Sequence, residues 1–275
     1  MDIQFRTYQV LPVLKGNIHK IWSFESPAPM PADDMKLVVP NGRLLMVIPF
    51  RNGLVGKMNN KLHLANTNQI ALVGMSGHPS IVDAANDGPV GTVGVEFTAA
   101  GAYRFFHFNL SDISNQLQYL TNLLPGQARR LEEKLQEVQL VEGKVNILQR
   151  FLFSLYQRTE KDSLFEYCVE QMIRTAGGIR VNELERQTGY SSRWLNMKFG
   201  SRLGMSPKNL SSIIRFQRHY QAMMANPVHF FNHKHFFDHY HDESHFIKNF
   251  KRYTGFAPSR IIQLKNEFGK AFYRN

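Results

Sequence analysis

With 275 residues, 43% of them hydrophobic and 20% charged, the chain is long enough for two domains with cores of their own and too apolar to be disordered. A single cysteine, Cys168, excludes internal disulfides and a cysteine-rich zinc site and fits a reducing compartment. The formal charge of +11 is uneven, with a net +2 over residues 1–160 and a net +9 over residues 161–275, so the second part is the one expected to meet a polyanion.

The N-terminus lacks a basic segment followed by an apolar one, and no apolar run approaches membrane-spanning length, which predicts a cytoplasmic protein without membrane contact. Up to about residue 98 the pattern favours strands. Thr7–Leu14, Leu44–Phe50, Ile70–Val73 and Val90–Phe97 are short β-rich runs. Between them lie turn signals at Pro27–Pro31, Asn41-Gly42, Asn52-Gly53 and Asn86 to Pro89. Strands at this spacing predict a β-sandwich or small barrel. The periodicity then changes to helical over Ala99–Phe106, Gln127–Val138 and Val145–Gln157. A helical pair there either caps its own sheet or packs against a second subunit.

Thr159 to Ser163 is polar and charged, and is the expected linker. Beyond it the punctuation is that of short helices. Leu164–Thr175 ends at Gly177-Gly178, and Val181–Gln187 stops at Gly189. Ser191 or Ser192 caps a helix that stops at Gly204, and Ser206-Pro207 opens a longer one reaching about Ala225. Asn226-Pro227 breaks that helix, Asp242 caps the next, which stops at Gly255, and Ala257-Pro258 starts the last. Cys168, beside Leu164, Phe165 and Met172, is expected to be a buried thiol rather than a nucleophile.

One short pattern occurs twice, 51 residues apart: Leu195, Phe199, Gly204 and Pro207 recur as Phe246, Phe250, Gly255 and Pro258. Two like-built short helices with polar faces suit a bipartite reader of a repeating surface, and duplex DNA is such a surface. Val181–Gln187, the turn at Gly189 and Ser192–Leu203 have the punctuation of a helix-turn-helix. Leu195 and Phe199 would face its core, leaving Arg193, Asn196 and Met197 to face base edges. Ser192, Lys198 and Arg202 suit phosphates. A 19-residue helix from Pro207 to Ala225 spans about 28 Å. That could set two reading helices one turn of DNA apart, roughly 34 Å.

Residues 164–268 resemble the DNA-binding domain of AraC/XylS-type transcriptional regulators, with two helix-turn-helices joined by a long helix. Gly189-Tyr190-Ser191-Ser192-Arg193 with Phe199 and Gly204-Met205-Ser206-Pro207 is similar to the first-unit signature, and Arg215-Phe216 to the linker-helix pair. Asp242-Glu243-Ser244-His245-Phe246 through Phe250 to Pro258 resembles the second-unit hallmark almost position for position. The resemblance implies that Glu243, Ser244 and Lys248 face bases and Arg252 a phosphate. Three features depart from the family pattern: Glu185 follows Leu184 in the first bracing helix, His239 replaces the second turn glycine, and the second bracing helix, Val228–Asp238, is rich in His and Phe. The first 158 residues resemble the family's cupin-like sensor or dimerisation half in architecture, and Gly94 to Arg104 resembles a strand-to-helix corner of some relatives.

Two metal readings stand beside this one. Six histidines between His229 and His245 include the i,i+4 pairs His235/His239 and His241/His245, a ligand spacing, which a His-rich metal-responsive regulator would use. Their titration near pH 6.5 is the other reading of that stretch. His63, His78 and Glu96 could serve a metal-binding cupin-type enzyme, but no His-x-His precedes residue 233, and both a phosphate-cradling glycine loop and a nucleophile elbow are lacking. The expectation is therefore an α+β protein in two parts. A β-rich cupin-like sandwich or barrel with C-terminal helices (1–158) senses a ligand or dimerises. An all-α double helix-turn-helix domain (164–275) reads two successive major grooves. No catalytic residue, metal site or cofactor is assigned. Double-stranded DNA is the expected partner, and the resemblance allows a small-molecule effector, RNA polymerase and a second copy of the chain.

Overall fold

The computed structural model describes residues 3–156, 160–232, 237, 240 and 242–273. Ten strands lie in its first half: β1 (Gln4–Tyr8), β2 (Ile18–Ser26), β3 (Leu37–Val38), β4 (Leu45–Arg51), β5 (Leu54–Met58), β6 (Lys61–Ala65), β7 (Ala71–Val73), β8 (Ser80–Ala84), β9 (Val90–Phe97) and β10 (Leu117–Tyr119). They form a six-stranded sheet, β1-β2-β9-β4-β7-β10, and a four-stranded sheet, β3-β8-β5-β6, with every pairing antiparallel. The sheets face each other as a sandwich: Phe24, Val47 and Thr92 from the first and Leu54, Met58 and Val82 from the second line one shared cavity.

Eight consecutive residues of β9 are buried, because the large sheet is covered on both sides. Val90 belongs with Trp22, Phe24, Val47 and Ala65 in the core between the sheets. Val93, Val95 and Phe97 belong instead with Ile48, Leu131, Leu135, Val145 and Leu148, where α2 (Pro125–Glu137) and α3 (Val141–Tyr156) cover the outer face after the single-turn α1 (Leu120–Leu123). Alternation along the strand sorts the two sets. Gly94 stands opposite Trp22, and a methyl group there would come within 2.1 Å of the indole, so glycine is what lets that ring lie across the strand.

The second half is helical: α4 (Ser163–Arg174), α5 (Val181–Thr188), α6 (Ser192–Leu203), α7 (Pro207–Ala225), α8 (Pro227–Asn232), α9 (Glu243–Thr254), α10 (Pro258–Ile261) and α11 (Glu267–Tyr273). The fold is thus the expected α+β arrangement, a β-rich sandwich with helices followed by an all-α part. Several elements differ from expectation. The run from Thr7 to Leu14 leaves the sheet after Tyr8, since Pro12 opens a one-turn 3-10 helix. Ala99–Phe106 holds only a 3-10 turn at Ala102–Arg104. The helix begun at Pro258 lasts one turn, and α11 follows it unforeseen. Of the bracing segment Val228–Asp238, the helix Pro227–Asn232 is seen, while Asp238 and His239 lie outside the described residues, as do Thr159 and His233, His235 and His241.

The two halves share a core. Phe165 of α4 packs edge-on against Tyr103 at 5.4 Å and against Phe199 of α6 at 5.0 Å. The β3–β4 segment reaches α7, where Leu37 and Val39 join Ile213, Phe216 and Tyr220. Gln217 donates its side-chain amide to the Pro40 carbonyl.

Candidate nucleic-acid interface

The first helical unit is built by local chemistry. Gly189 closes α5 in the left-handed conformation at φ +76°, and Ser191 caps α6 by accepting from the Trp194 N–H. Glu185, the departure from the family pattern, accepts from the Ser192 N–H and so ties the turn to α5. Leu184, Leu195, Phe199 and Leu203 are fully buried, while Arg193, Asn196 and Met197 are exposed, Met197 at 65%. The Asn196 amide donates to the Ser192 carbonyl at 2.7 Å, back along its own helix.

Helix α9 follows the same plan as α6. Asp242 caps it by accepting from His245 N–H at 2.7 Å, and Gly255 stops it at φ +81°. Phe246, Phe250 and Tyr253 are buried, and Glu243, Ser244, Lys248 and Arg252 are exposed. Between the units, α7 runs its expected 19 residues from a Ser206 cap and Pro207 at its first turn. Ser212 of α7 donates to Asn249 of α9, and Phe216 packs on both Phe250 and Tyr253, at 5.7 and 4.9 Å. Helices α7 and α9 therefore share one core.

Of the four cations and hydroxyls assigned to phosphate, only Arg252 stands fully exposed; Ser192 is half-buried. Lys198 and Arg202 are turned towards the sandwich. Both reach Asp162 Oδ2, at 2.8 and 3.3 Å, and the Arg202 guanidinium lies 5.0 Å over the Tyr103 ring. Burial alone would raise the Asp162 carboxyl, but the hydrogen bond from Lys198 and the charges of Lys198 and Arg202 hold it below the ordinary range. Asp162 also caps α4 through Phe165 N–H, and its own N–H donates to the Tyr103 hydroxyl at 2.7 Å. That hydroxyl donates to Glu166 at 2.6 Å, and Arg104 and Lys161 flank Glu166. Burial, then the bond to Glu166, pushes the Tyr103 phenol up. Asp162, Tyr103 and Glu166 thus form a polar latch between the sandwich and α6. Sequence reading missed it. An Asp before a helical run signals a cap, but not the partners 36 and 40 residues away.

Of the residues of the enzyme reading, His78 and Glu96 line one pocket and His63 another. Glu96 is buried between Lys20 and Arg43, at 3.3 Å from each, and among the described residues no group of three His, Cys, Asp or Glu is placed to hold a metal ion. Cys168 is fully buried as expected, its thiol pushed up to about 11 by burial and by the charge of Asp162.

Neither a family model nor a curated protein sequence matches the chain. Solved structures of similar shape include ToxT from Vibrio cholerae O395, 12% identical with a TM-score of 0.48, covering 90% of this chain and 98% of that one. The same protein bound to (E)-4-(8-methylnaphthalen-1-yl)but-3-enoic acid is also 12% identical, with a TM-score of 0.48 and coverage of 88% and 98%. A cupin domain of an XRE family transcriptional regulator from Enterobacter cloacae is 10% identical, with a TM-score of 0.28, and covers 35% of this chain and 96% of that domain. Likenesses this distant carry no function with them. Among the described residues no helix is long and apolar enough to cross a membrane.

Proposed function

We propose that the chain is a sequence-specific DNA-binding transcription regulator of the AraC/XylS type, acting in the cytoplasm. One observation carries this reading: α6 and α9 are capped and stopped alike, each buries one face (Leu195, Phe199 and Leu203 on the first, Phe246, Phe250 and Tyr253 on the second), and each leaves a polar face open, on either side of a single 19-residue helix. Arg193 offers a bidentate pair to guanine and Asn196 to adenine once its amide leaves Ser192, while Met197 can lie on a thymine methyl. On α9, Glu243 can accept from cytosine, with Ser244 and Lys248 beside it. Ser192 and Arg252 serve phosphates, and Lys198 and Arg202 join them when the latch to Asp162 opens. The sandwich, residues 1–158, senses a small apolar molecule and transmits its presence to residues 164–275 through the shared core. A second copy of the chain and RNA polymerase are further partners of a regulator of this kind.

The test is selection of bound duplexes from a random pool by the full-length protein. Enrichment of two short motifs about one helical turn apart is expected. Recovery of unselected sequence, with affinity set by salt alone, would leave only a non-specific polyanion binder.

A further inference from the structure

Helices α2 and α3 cover the large sheet with their inner faces, and between their outer faces runs an open groove of about 510 Å³. Its floor is apolar: Leu131 of α2 is buried, and Ile147 and Phe151 of α3, one turn apart, are half-buried. Its rims are cationic. Arg130 and Lys134 stand one turn apart on α2, and Arg150 lines the groove from α3, all three exposed.

Among the described residues none of these three cations makes an ion pair. No Asp or Glu lines the groove. Glu132 is buried and accepts from the Ile70 N–H, Glu142 pairs with Arg6, and the exposed Glu133 and Glu137 lie off the groove. Cations gathered around one groove repel one another, and no carboxylate along it offsets them. Shape narrows what could. A cavity of about 150 Å³ takes up benzene, so the groove has room for about three apolar side chains. Residues 127–134 and 147–154 border it, about 11 Å of helix on each side. The occupant that fits carries an apolar stripe at i, i+3, i+4 and i+7 with carboxylates on both flanks. A second copy docked here about a two-fold axis would bring the cations against their own counterparts. Duplex DNA would meet the cations and leave the apolar floor uncovered.

We propose that the α2/α3 groove is a docking site for an acidic amphipathic helix of another protein. Its apolar stripe lies on Leu131, Ile147 and Phe151, and its carboxylates meet Arg130, Lys134 and Arg150. The site uses no residue of 164–275, so it goes beyond the DNA reading and stands or falls separately from it.

The test is selection by the full-length protein from displayed helical peptides of about 18 residues, with a fixed leucine stripe and flanks randomised among Glu, Gln, Lys and Ser. Enrichment of Glu on the flanks is expected. An enriched peptide is then labelled and titrated by fluorescence anisotropy with excess duplex present, which occupies the net +9 of residues 161–275. Saturable one-to-one binding is expected, weaker by about tenfold when Gln replaces Glu or when shuffling breaks the stripe. Arg150→Glu should weaken it about fivefold, and Arg130→Glu, Lys134→Glu and Arg150→Glu together at least about fiftyfold. The three positions are exposed, so melting temperature and duplex affinity should not change, and the triple variant should prefer Lys-flanked peptides instead. Selection without Glu enrichment, or equal binding by the wild type and the triple variant, overturns the site. Duplex affinity lost in the triple variant would assign the groove to DNA, and a dimer turned to monomer in sedimentation would assign it to a second copy; either overturns the acidic helix. Peptide binding with all these signatures, beside a duplex selection that returns no motif, upholds the site and counts against the regulatory reading alone.

Discussion

Replacing Asp162 with asparagine separates the charge of the latch from its shape. Asparagine caps a helix as well as aspartate does, so α4 keeps its start, while Lys198 and Arg202 lose the one carboxylate they share. A hydrogen bond to a charged group contributes about 1.5–3 kcal/mol, and exposure of 24% at Lys198 and 38% at Arg202 screens part of that, leaving about 1–2 kcal/mol for the latch. If DNA binding must open the latch, Asp162→Asn binds duplex about 5- to 30-fold more tightly at low salt. If the wild type binds with the latch closed, the variant gains phosphate contacts instead, and the slope of log affinity against log salt steepens by about 0.9 for each cation released. Fluorescence anisotropy titrations of a labelled duplex at several salt concentrations read both quantities together. Thermal unfolding of the free variant, expected to lose about 1–2 kcal/mol, verifies that the contact existed. Unchanged affinity and unchanged slope would show that α6 does not meet phosphate through these side chains.

Other residues yield separable outcomes. Arg193→Ala or Asn196→Ala should cost about 1–3 kcal/mol on the selected site and relax preference at one base, whereas Arg252→Ala should weaken all duplexes alike and flatten the salt slope by about one unit; equal effects would reverse the face assignment of α6. Gly204→Ala meets both a left-handed φ of +85° and the Leu110 carbonyl 2.7 Å from its new methyl, while Gly255→Ala meets only the φ of +81°. The second should lose about 1–2 kcal/mol and the first distinctly more in urea unfolding, and equal losses would mean that α6 is not docked on the sandwich. Burial pushes the Glu132 carboxyl up, against the pull of the Ile70 N–H at 2.8 Å and of Arg129. The folded chain then holds that proton to higher pH than the unfolded one, so its contribution is full below the unfolded value and is lost as pH rises through the folded one. Glu132→Gln should therefore gain in melting temperature relative to the wild type between pH 4 and 7; a constant difference would refute the shift.

What could be foreseen is what neighbours in sequence decide. Ser191, Ser206 and Asp242 cap, and Gly189, Gly204 and Gly255 stop, the helices expected of them, because each motif closes within a few residues. Val90–Phe97 stands out by its β-branched residues Val90, Thr92, Val93 and Val95 and a closing Phe97. Strand β2 does not, because His19, Lys20, Ser23 and Glu25 interrupt its pattern and only pairing with β1 and β9 makes it a strand. The Asn59-Asn60 turn, with both φ positive, joins β5 to β6 as a tight hairpin, and its flanks Leu54–Met58 and Lys61–Ala65 are too mixed to advertise strands. Lys198 and Arg202 sit on the polar side of α6 by helical spacing, yet their partner is set by tertiary docking. Helix α11 lies further still from local reading: Asn266 clasps Leu37 across 229 positions, and nothing in Glu267–Tyr273 alone says that its phenylalanines line the cavity between the sheets.

The continuity of packing from Tyr103 through Phe165 to Phe199 bears on how such a protein can change over generations. Were the interface between the parts a dry, independent joint, either part could be exchanged for a foreign one and the chimera would still fold. Here an exchange would strip Phe165 of Tyr103 and bare an oily surface on each fragment, inviting aggregation. Change in α6 must therefore proceed by substitution on its outward face, residue by residue, while the inward face stays matched to the sandwich it grew up with.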